Sequence, residues 1–137
     1  MATAKKILLA DDDAEDREII EDSLETLGMG GVTQYAINGE EALAFLATCT
    51  ADDDLPSLII LDLNMPLLNG TQTLRAIKKD NRYCKIPVYI YSTSINPIER
   101  DQCLLMGAQD YIVKPTSYAD SLKTAQSFKN YCLDKAL

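Results

Sequence analysis

The segment ILLADDDAED, residues 7–16, joins four apolar residues directly to three consecutive aspartates. A continuously apolar run that is too short for a helix is typical of a strand buried on both faces of a sheet. Asp13, with Asp16 three residues later, predicts the start of a helix. One aspartate is enough for that cap, and adjacent carboxylates repel each other. The strand-to-helix pattern therefore leaves Asp11 and Asp12 without a local structural role.

The same alternation continues along the chain. We predict strands at residues 7–10, 32–36, 58–61, 88–91 and 111–113. Further helix starts are indicated by Asn38 with Glu41, Asn96 with Pro97 and Glu99, and Ser117 with Asp120. Strands that alternate with helices predict an α/β fold. We expect a doubly wound five-stranded parallel sheet in the order 2-1-3-4-5, flavodoxin-like, with helices on both faces.

A chain of 137 residues has the size of one ordinary domain. We expect residues 1–137 to form a single domain without an output domain, with a solvated loop at residues 48–57 and a last helix from about 118 to 133. The four cysteines show no Cys-x-x-Cys spacing, and the N-terminus does not have the pattern of a signal peptide. No apolar run approaches the ~18 residues of a membrane-spanning helix. These features predict a cytoplasmic protein with free thiols.

The composition restricts both partners and chemistry. A formal net charge of −8 disfavours binding to nucleic acid or to an anionic membrane surface. The chain contains no histidine, which removes the commonest general base, the commonest metal ligand and any internal phosphohistidine. The chemistry must therefore rest on carboxylates, lysine, hydroxyls or thiols.

Polar residues follow four of the five predicted strands. In an open α/β sheet the ligand site lies outside the carboxyl ends of the strands. The residues found there are Asp11 and Asp12, Asp62, Ser92 and Lys114. Taken singly, each has an ordinary role as a helix cap, a turn residue or a solvated side chain. Because the first and third strands are central neighbours in the expected order, the carboxylates converge into one site.

Carboxylates without a nearby histidine or thiolate suit a hard cation, and we expect Mg²⁺, or Mn²⁺, at Asp11, Asp12 and Asp62. An ionised aspartate beside a metal ion and a lysine can attack phosphorus and form an acyl phosphate. The metal ion and Lys114 would neutralise the charge of the transferred phosphoryl group. Ser92 could donate a hydrogen bond to another phosphoryl oxygen.

Four motifs at the strand ends carry a family resemblance: ADDD (10–13), LIILDLNMPLLNG (58–70), VYIYSTS (88–94) and YIVKP (111–115). Together they resemble the receiver domain of two-component response regulators, as in the single-domain chemotaxis regulator. The resemblance covers nearly the whole chain. It implies a stand-alone phosphoacceptor signalling domain, not an enzyme, that takes its phosphoryl group from a sensor histidine kinase or a histidine phosphotransfer protein. Its output would be a contact with an unknown downstream protein, with a homodimer formed on phosphorylation left open.

The resemblance also implies a role for each site residue. Asp62 resembles the phosphoacceptor, Asp11 and Asp12 the acidic pair that binds the metal, and Lys114 the invariant lysine. Asn64 matches the position whose backbone carbonyl completes the metal shell. Ser92 resembles the switch hydroxyl and Tyr111 the switch aromatic, whose ring turns inward on phosphorylation, whereas the residue alone indicates a half-buried aromatic with a wet hydroxyl. By the same analogy, Asn64 and Ser94 flank the path of the water that hydrolyses the acyl phosphate.

Two features depart from the chemotaxis regulator: Leu63 follows the phosphoacceptor, and the loop at residues 48–57 is longer. This loop and STSIN (92–96) are similar to the small regulators that partner bacterial phytochromes.

Other functions fit the sequence less well. Three aspartates after the first strand would repel a flavin phosphate, and GMGG (28–31) lacks the third glycine of a dinucleotide site and precedes a strand. A phosphatase with a carboxylate nucleophile needs an acid two residues later, where Asn64 stands. One alternative stays open, a receiver-like adaptor that binds its partners without being phosphorylated.

Overall fold

The computed structural model describes residues 5–93 and 96–136, and within these residues five strands alternate with five helices. The strands are β1 (Ile7–Ala10), β2 (Thr33–Ala36), β3 (Leu58–Leu61), β4 (Val88–Ser92) and β5 (Asp110–Val113). The helices are α1 (Ala14–Thr26), α2 (Gly39–Thr48), α3 (Gly70–Lys79), α4 (Pro97–Leu105) and α5 (Tyr118–Ala136).

The five strands form one parallel sheet in the order β2-β1-β3-β4-β5, which confirms the predicted fold class and strand order. The register pairs Ala10 of β1 with Leu61 of β3, so the residues that follow these strands lie side by side. On the other side of β3, the backbone N–H of Lys114 donates to the carbonyl of Ser92 at 2.7 Å. The register thus brings the polar strand ends to one edge of the sheet.

The sheet is buried on both faces, as its continuously apolar strands predict. On one face, Leu8, Ile59 and Ile90 pack with residues of α2, α3 and α4. On the other face, side chains of the same strands pack with residues of α1 and α5, including Leu24 and Phe128. Helices cover both faces of the sheet.

The predicted helix caps are present. Asp13 accepts from the backbone N–H of Asp16 at 3.1 Å, and Asn38 accepts from that of Glu41 at 2.8 Å. The side chains of Asn96 and Ser117 accept from the first turns of α4 and α5 in the same way. These bonds satisfy backbone donors that a helix N-terminus leaves without an internal partner.

One predicted helix boundary differs from the structure, and one helix start was not predicted. α5 continues to Ala136 and does not end near 133, because residues 134–136 include neither glycine nor proline to stop it. α3 begins at a capping box, in which Asn69 and Gln72 exchange side-chain to backbone hydrogen bonds of 2.9 and 3.0 Å. The Asn-x-x-Gln signal is in the sequence, but it was not used to predict this helix. The strand ends differ from the predicted ones by one residue at most.

The segment predicted as a solvated loop, residues 48–57, is more ordered than expected. α2 extends to Thr48, and Asp52–Asp54 form a single 3₁₀ turn. The Arg82 guanidinium donates to the carbonyl of Cys49 and lies 3.9 Å from a carboxylate oxygen of Asp52. The loop is therefore tied to the residues that precede β4.

All four cysteines have free thiols, and three of them are buried. Among the described residues, no helix is both long and apolar enough to cross a membrane.

Candidate functional site

Four polar side chains are buried together at the carboxyl edge of the sheet. Asp11 follows β1, Asp62 follows β3, Ser92 ends β4 and Lys114 follows β5, and each is less than a tenth exposed. Buried polar groups are costly unless they have partners. The structure brings Asp11, Asp62 and Lys114 within ion-pair distance and places Ser92 at the same edge of the sheet.

Lys114 joins the carboxylates of the site. Its Nζ lies 2.8 Å from Asp11 Oδ2 and 3.3 Å from Asp62 Oδ2. A third carboxylate, that of Asp16, is nearer still, with its Oδ2 at 2.7 Å. The Lys114 ammonium therefore faces three carboxylates. Two of them, Asp11 and Asp62, were predicted from the sequence as site residues.

Asp16 is the site residue that the sequence analysis missed, because it was used only as the partner of the Asp13 cap. It occupies the third position of α1. Helical side chains tilt toward the N-terminus of their helix, so a side chain in this turn points back to the sheet edge from which the helix starts. That rule, applied to the position of Asp16, is the signal that could have found it.

Tyr91 is a second residue that sequence reasoning did not single out. It lies inside β4, is almost fully buried, and packs edge-on against Phe128 of α5. Its ring centroid lies 5.5 Å from Lys114 Nζ, within the range of a cation–π contact. The ring therefore adds a favourable electrostatic contact to the ammonium.

The ionisation of the site follows from burial and from the shared ammonium. Burial raises the pKa of Asp11 to about 6, and the contacts with the Lys114 ammonium and with the backbone N–H of Asp13 offset only part of that rise. Burial alone would lower the pKa of Lys114. The contacts with the carboxylates of Asp11 and Asp16 outweigh that effect, so the pKa of Lys114 lies above its ordinary value and the lysine stays charged.

Backbone groups orient the two buried carboxylates. The N–H of Asp13 donates to Asp11 Oδ1 at 2.9 Å, and the N–H of Asn64 donates to Asp62 Oδ1 at 3.3 Å. The Arg17 guanidinium donates to the backbone carbonyl of Asp11 at 2.6 Å. In both carboxylates, Oδ1 is engaged by the backbone while Oδ2 faces Lys114.

The acidic cluster fits a divalent cation. Carboxylate oxygens of Asp11, Asp12 and Asp62 lie within 4.8 Å of one another. Asp11 Oδ2 is buried, and no well-aligned hydrogen-bond donor reaches it from the described part of the chain, although it pairs with the Lys114 charge. Asp12 is exposed and opens the cluster to solvent. Three oxygen ligands with one wet side suit a hard cation that keeps some of its waters.

The remaining predicted site residues differ in how deeply they are buried. Ser92 is fully buried, and Tyr111 is buried in the cluster that packs with α3 and α4, so its ring already lies inside and is not half exposed. Asn64 is exposed, and the metal-binding role of its carbonyl stays a prediction. Ser94 lies outside the described residues.

A family model of the response regulator receiver domain matches residues 7–126. This chain belongs to that family. The match confirms the resemblance seen in the strand-end motifs and makes the protein a receiver domain of two-component signalling. Receiver domains are phosphoacceptor signalling domains, and they interact with histidine kinases or phosphotransfer proteins.

Individual relatives include both chemotaxis and phytochrome regulators. The chain is 36% identical to the chemotaxis protein CheY1 of Helicobacter pylori over 110 residues, which cover 80% of this chain and 85% of that protein. It is 28% identical to the phosphorylated cyanobacterial phytochrome response regulator RcpA, with a TM-score of 0.84 over 98% of both chains. The Mn²⁺-bound response regulator Rcp1 is also 28% identical, with a TM-score of 0.78 over 91% of both chains.

Other relatives are longer than this chain. Several are named as transcriptional regulators, and the chain spans 42–47% of their length. The likeness to them is therefore a likeness to a part of each protein.

Proposed function

We propose that this receiver domain accepts a phosphoryl group on Asp62 from a partner's phosphohistidine, in a reaction that requires Mg²⁺ or Mn²⁺, and signals through protein contacts. The observation that carries this proposal is the position of Asp62. Its Oδ2 lies 3.3 Å from the Lys114 ammonium, and its carboxylate also belongs to the three-aspartate cluster. The nucleophile is thus flanked by one fixed positive charge and by one cation site.

The transfer makes one bond and breaks one. An oxygen of the ionised Asp62 attacks phosphorus, a P–O bond forms, and the P–N bond to the partner's imidazole breaks. The N–H of Asn64 holds Oδ1 at 3.3 Å, which fixes the carboxylate plane, while Lys114 stabilises the negative charge on the phosphoryl oxygens. When bound, a divalent cation at Asp11, Asp12 and Asp62 supplies further positive charge to those oxygens.

We propose that Ser92 carries the signal away from Asp62. Its side chain is buried at the end of β4, next to the strand of Tyr111. A hydrogen bond to the phosphoryl group would draw the Ser92 hydroxyl toward Asp62 and change the packing beside α4. The outer surface of α4 carries two strongly exposed apolar side chains, Ile98 and Leu105. We therefore assign the output to the surface formed by α4, β5 and α5, for a downstream protein or a second copy of the chain.

Intact mass measurement tests the proposal directly. The parent protein, incubated with a small phosphodonor and Mg²⁺, should gain one phosphoryl mass, and Asp62→Ala should gain none. Asp53→Asn, which changes an exposed aspartate of the 3₁₀ turn, is the control and should react like the parent. A parent protein that gains no mass with any donor would favour the phosphorylation-independent adaptor.

The likeness to RcpA over 98% of both chains supports a bacterial phytochrome kinase as the donor to test first. Phosphotransfer from such a kinase should reach Asp62 faster than transfer from a chemotaxis kinase at equal concentration. Equal rates from both kinases would leave the phytochrome assignment without support.

A further inference from the structure

The Lys114 ammonium is shared unequally among its carboxylates. Nζ lies 2.7 Å from Asp16 and 2.8 Å from Asp11, but 3.3 Å from Asp62. Of the two hydrogen bonds that Nζ donates to carboxylates, the one to Asp16 is the shorter, at 2.7 Å against 3.3 Å to Asp62. Lys114, which is expected to contact the phosphoryl group, is therefore held on the α1 side of the site.

Among the described residues, Asp16 does not belong to the cluster that could hold a metal ion, which consists of Asp11, Asp12 and Asp62. Its side chain is 28% exposed, whereas Asp11 and Asp62 are almost completely buried. Asp16 is a partly solvated carboxylate whose described ion pair is with Lys114.

We propose that Asp16 is a positioning residue that holds Lys114 away from Asp62 and thereby limits how tightly the site holds a phosphoryl group. This inference rests on the proposed phosphorylation of Asp62. Asp16 opposes the bound anion in two ways. Nζ must move away from Asp16 to reach a phosphoryl oxygen at short distance, and the negative charge of Asp16 repels the phosphoryl group itself.

Substitution of Asp16 by asparagine removes the charge and keeps the shape of the side chain. The matched control is Glu15→Gln, which removes the same charge from the same turn of α1 at an exposed position. Both variants lose one acidic residue from the helix N-terminus, so they lose a similar favourable interaction with the helix dipole. They differ in the contact with Lys114.

The probe is beryllofluoride, a mimic of the phosphoryl group, measured by calorimetry at saturating Mg²⁺. Asp16→Asn should bind it about five- to tenfold more tightly than the parent, as expected for one partly screened charge at this range. Glu15→Gln should stay within about twofold of the parent. Affinity that is unchanged or weaker in Asp16→Asn would overturn the inference, and so would an equal gain in Glu15→Gln, because the effect would then be one of general charge.

A second measurement tests the contact without any phosphoryl mimic. In the metal-free protein, Asp16→Asn should change the urea unfolding midpoint in the parent background and have little effect in a Lys114→Met background. Equal effects in both backgrounds would show that the two residues are not coupled and would overturn the inference. If the parent binds no beryllofluoride while Asp16 and Lys114 are coupled, the proposed function fails and the inference falls with it.

Discussion

Asp11 is the most constrained carboxylate of the site. Its side chain is fully buried between a backbone donor, the N–H of Asp13, and the Lys114 ammonium. Burial raises its pKa to about 6, because the cost of desolvation exceeds the stabilisation from these two contacts. In the metal-free protein the ionised form of Asp11 is therefore a source of instability that a proton or a cation relieves.

This shift has a defined sign in the pH dependence of stability. Between about pH 4 and 6 the folded protein holds a proton on Asp11 that the unfolded chain has released, so the free energy of unfolding falls as the pH rises through this window. Asp11→Asn removes the titrating group. We expect the variant to lose less stability over this window, by on the order of 2 kcal/mol.

Urea unfolding in the presence of a metal chelator, at several pH values from 4 to 7, measures this effect. Asp53→Asn, at an exposed position, should follow the parent curve. If Asp11→Asn loses stability as steeply as the parent between pH 4 and 6, another group is responsible for the slope.

Helix α3 shows how an element, and not only a side chain, positions the phosphoacceptor. Its first residue, Gly70, donates from its N–H to the carbonyl of Leu63 at 3.1 Å. A Cβ at Gly70 would lie 2.2 Å from the carbonyl oxygen of Asp62, which is closer than atoms can pack. The helix can start this close to Asp62 only because residue 70 has no side chain.

We expect Gly70→Ala to push α3 away from β3 and to displace Asp62. The variant should be less stable by about 1–3 kcal/mol, as is usual for overpacking, and should take a phosphoryl group more slowly than the parent. Thermal unfolding and the mass assay measure the two effects. The control is Gly30→Ala, whose added methyl group meets only the flexible side chain of Glu25. Phosphorylation at the parent rate in Gly70→Ala would mean that α3 does not position Asp62.

The elements of this fold could be predicted because the strands are apolar throughout and the helix caps are local signals. The site residues at strand ends could be predicted for the same reason, since the strand order brings those ends together. Asp16 and Tyr91 could not be found in this way. The contact of Asp16 with Lys114 depends on the tilt of a helical side chain, and that of Tyr91 on the placement of an aromatic ring inside a strand. A search of the strand ends covers neither.

The extent of α5 and the order of the segment at residues 48–57 also lay beyond the sequence analysis. The absence of glycine and proline at residues 134–136 allows α5 to continue but does not require it, and the helix does continue to Ala136. The segment at 48–57 is held by Arg82, which lies about thirty residues further along the chain. A contact over that separation is set by the tertiary fold.

Across the whole molecule, negative charge is in excess, with 21 acidic against 13 basic residues. The acidic cluster concentrates part of this excess at one edge of the sheet. A cation that binds only the folded protein stabilises it by mass action, by about 2.7 kcal/mol at a concentration of one hundred times its Kd. We therefore expect Mg²⁺ to raise the melting temperature by several degrees at constant ionic strength.

Asp12 is the ligand with which to test this cation site, because it is exposed and its removal leaves the core unchanged. In Asp12→Ala, Mg²⁺ should no longer raise the melting temperature. The metal-free variant should be at least as stable as the metal-free parent, since one repelling charge is gone. Asp53→Asn should keep the parent response. A full Mg²⁺ response in Asp12→Ala would remove Asp12 from the ligands of the metal.

Communication between Asp62 and the surface of α4, β5 and α5 requires the molecule to have two states, and Ser92 is the group we expect to link them. A ligand shifts such an equilibrium only by the difference in its contacts with the two states. One hydrogen bond to a charged group contributes ~1.5–3 kcal/mol, which is less than the ~5.5 kcal/mol of a complete reversal. Phosphorylation alone should therefore produce an incomplete switch, with partner binding supplying the remainder.

Amide NMR spectra of the protein with Mg²⁺ and beryllofluoride measure this switch. In Ser92→Ala, the mimic should still bind. The chemical-shift changes of the α4 and β5 amides should be smaller than in the parent, because the hydroxyl that donates a hydrogen bond to the phosphoryl oxygen is missing. Ser57→Ala, before β3 at the opposite edge of the sheet, should respond like the parent. If Ser92→Ala shows the full response in α4 and β5, the signal must leave Asp62 by another route. The loop at residues 63–70 offers one, because the N–H of Asn64 in this loop donates to Asp62 Oδ1.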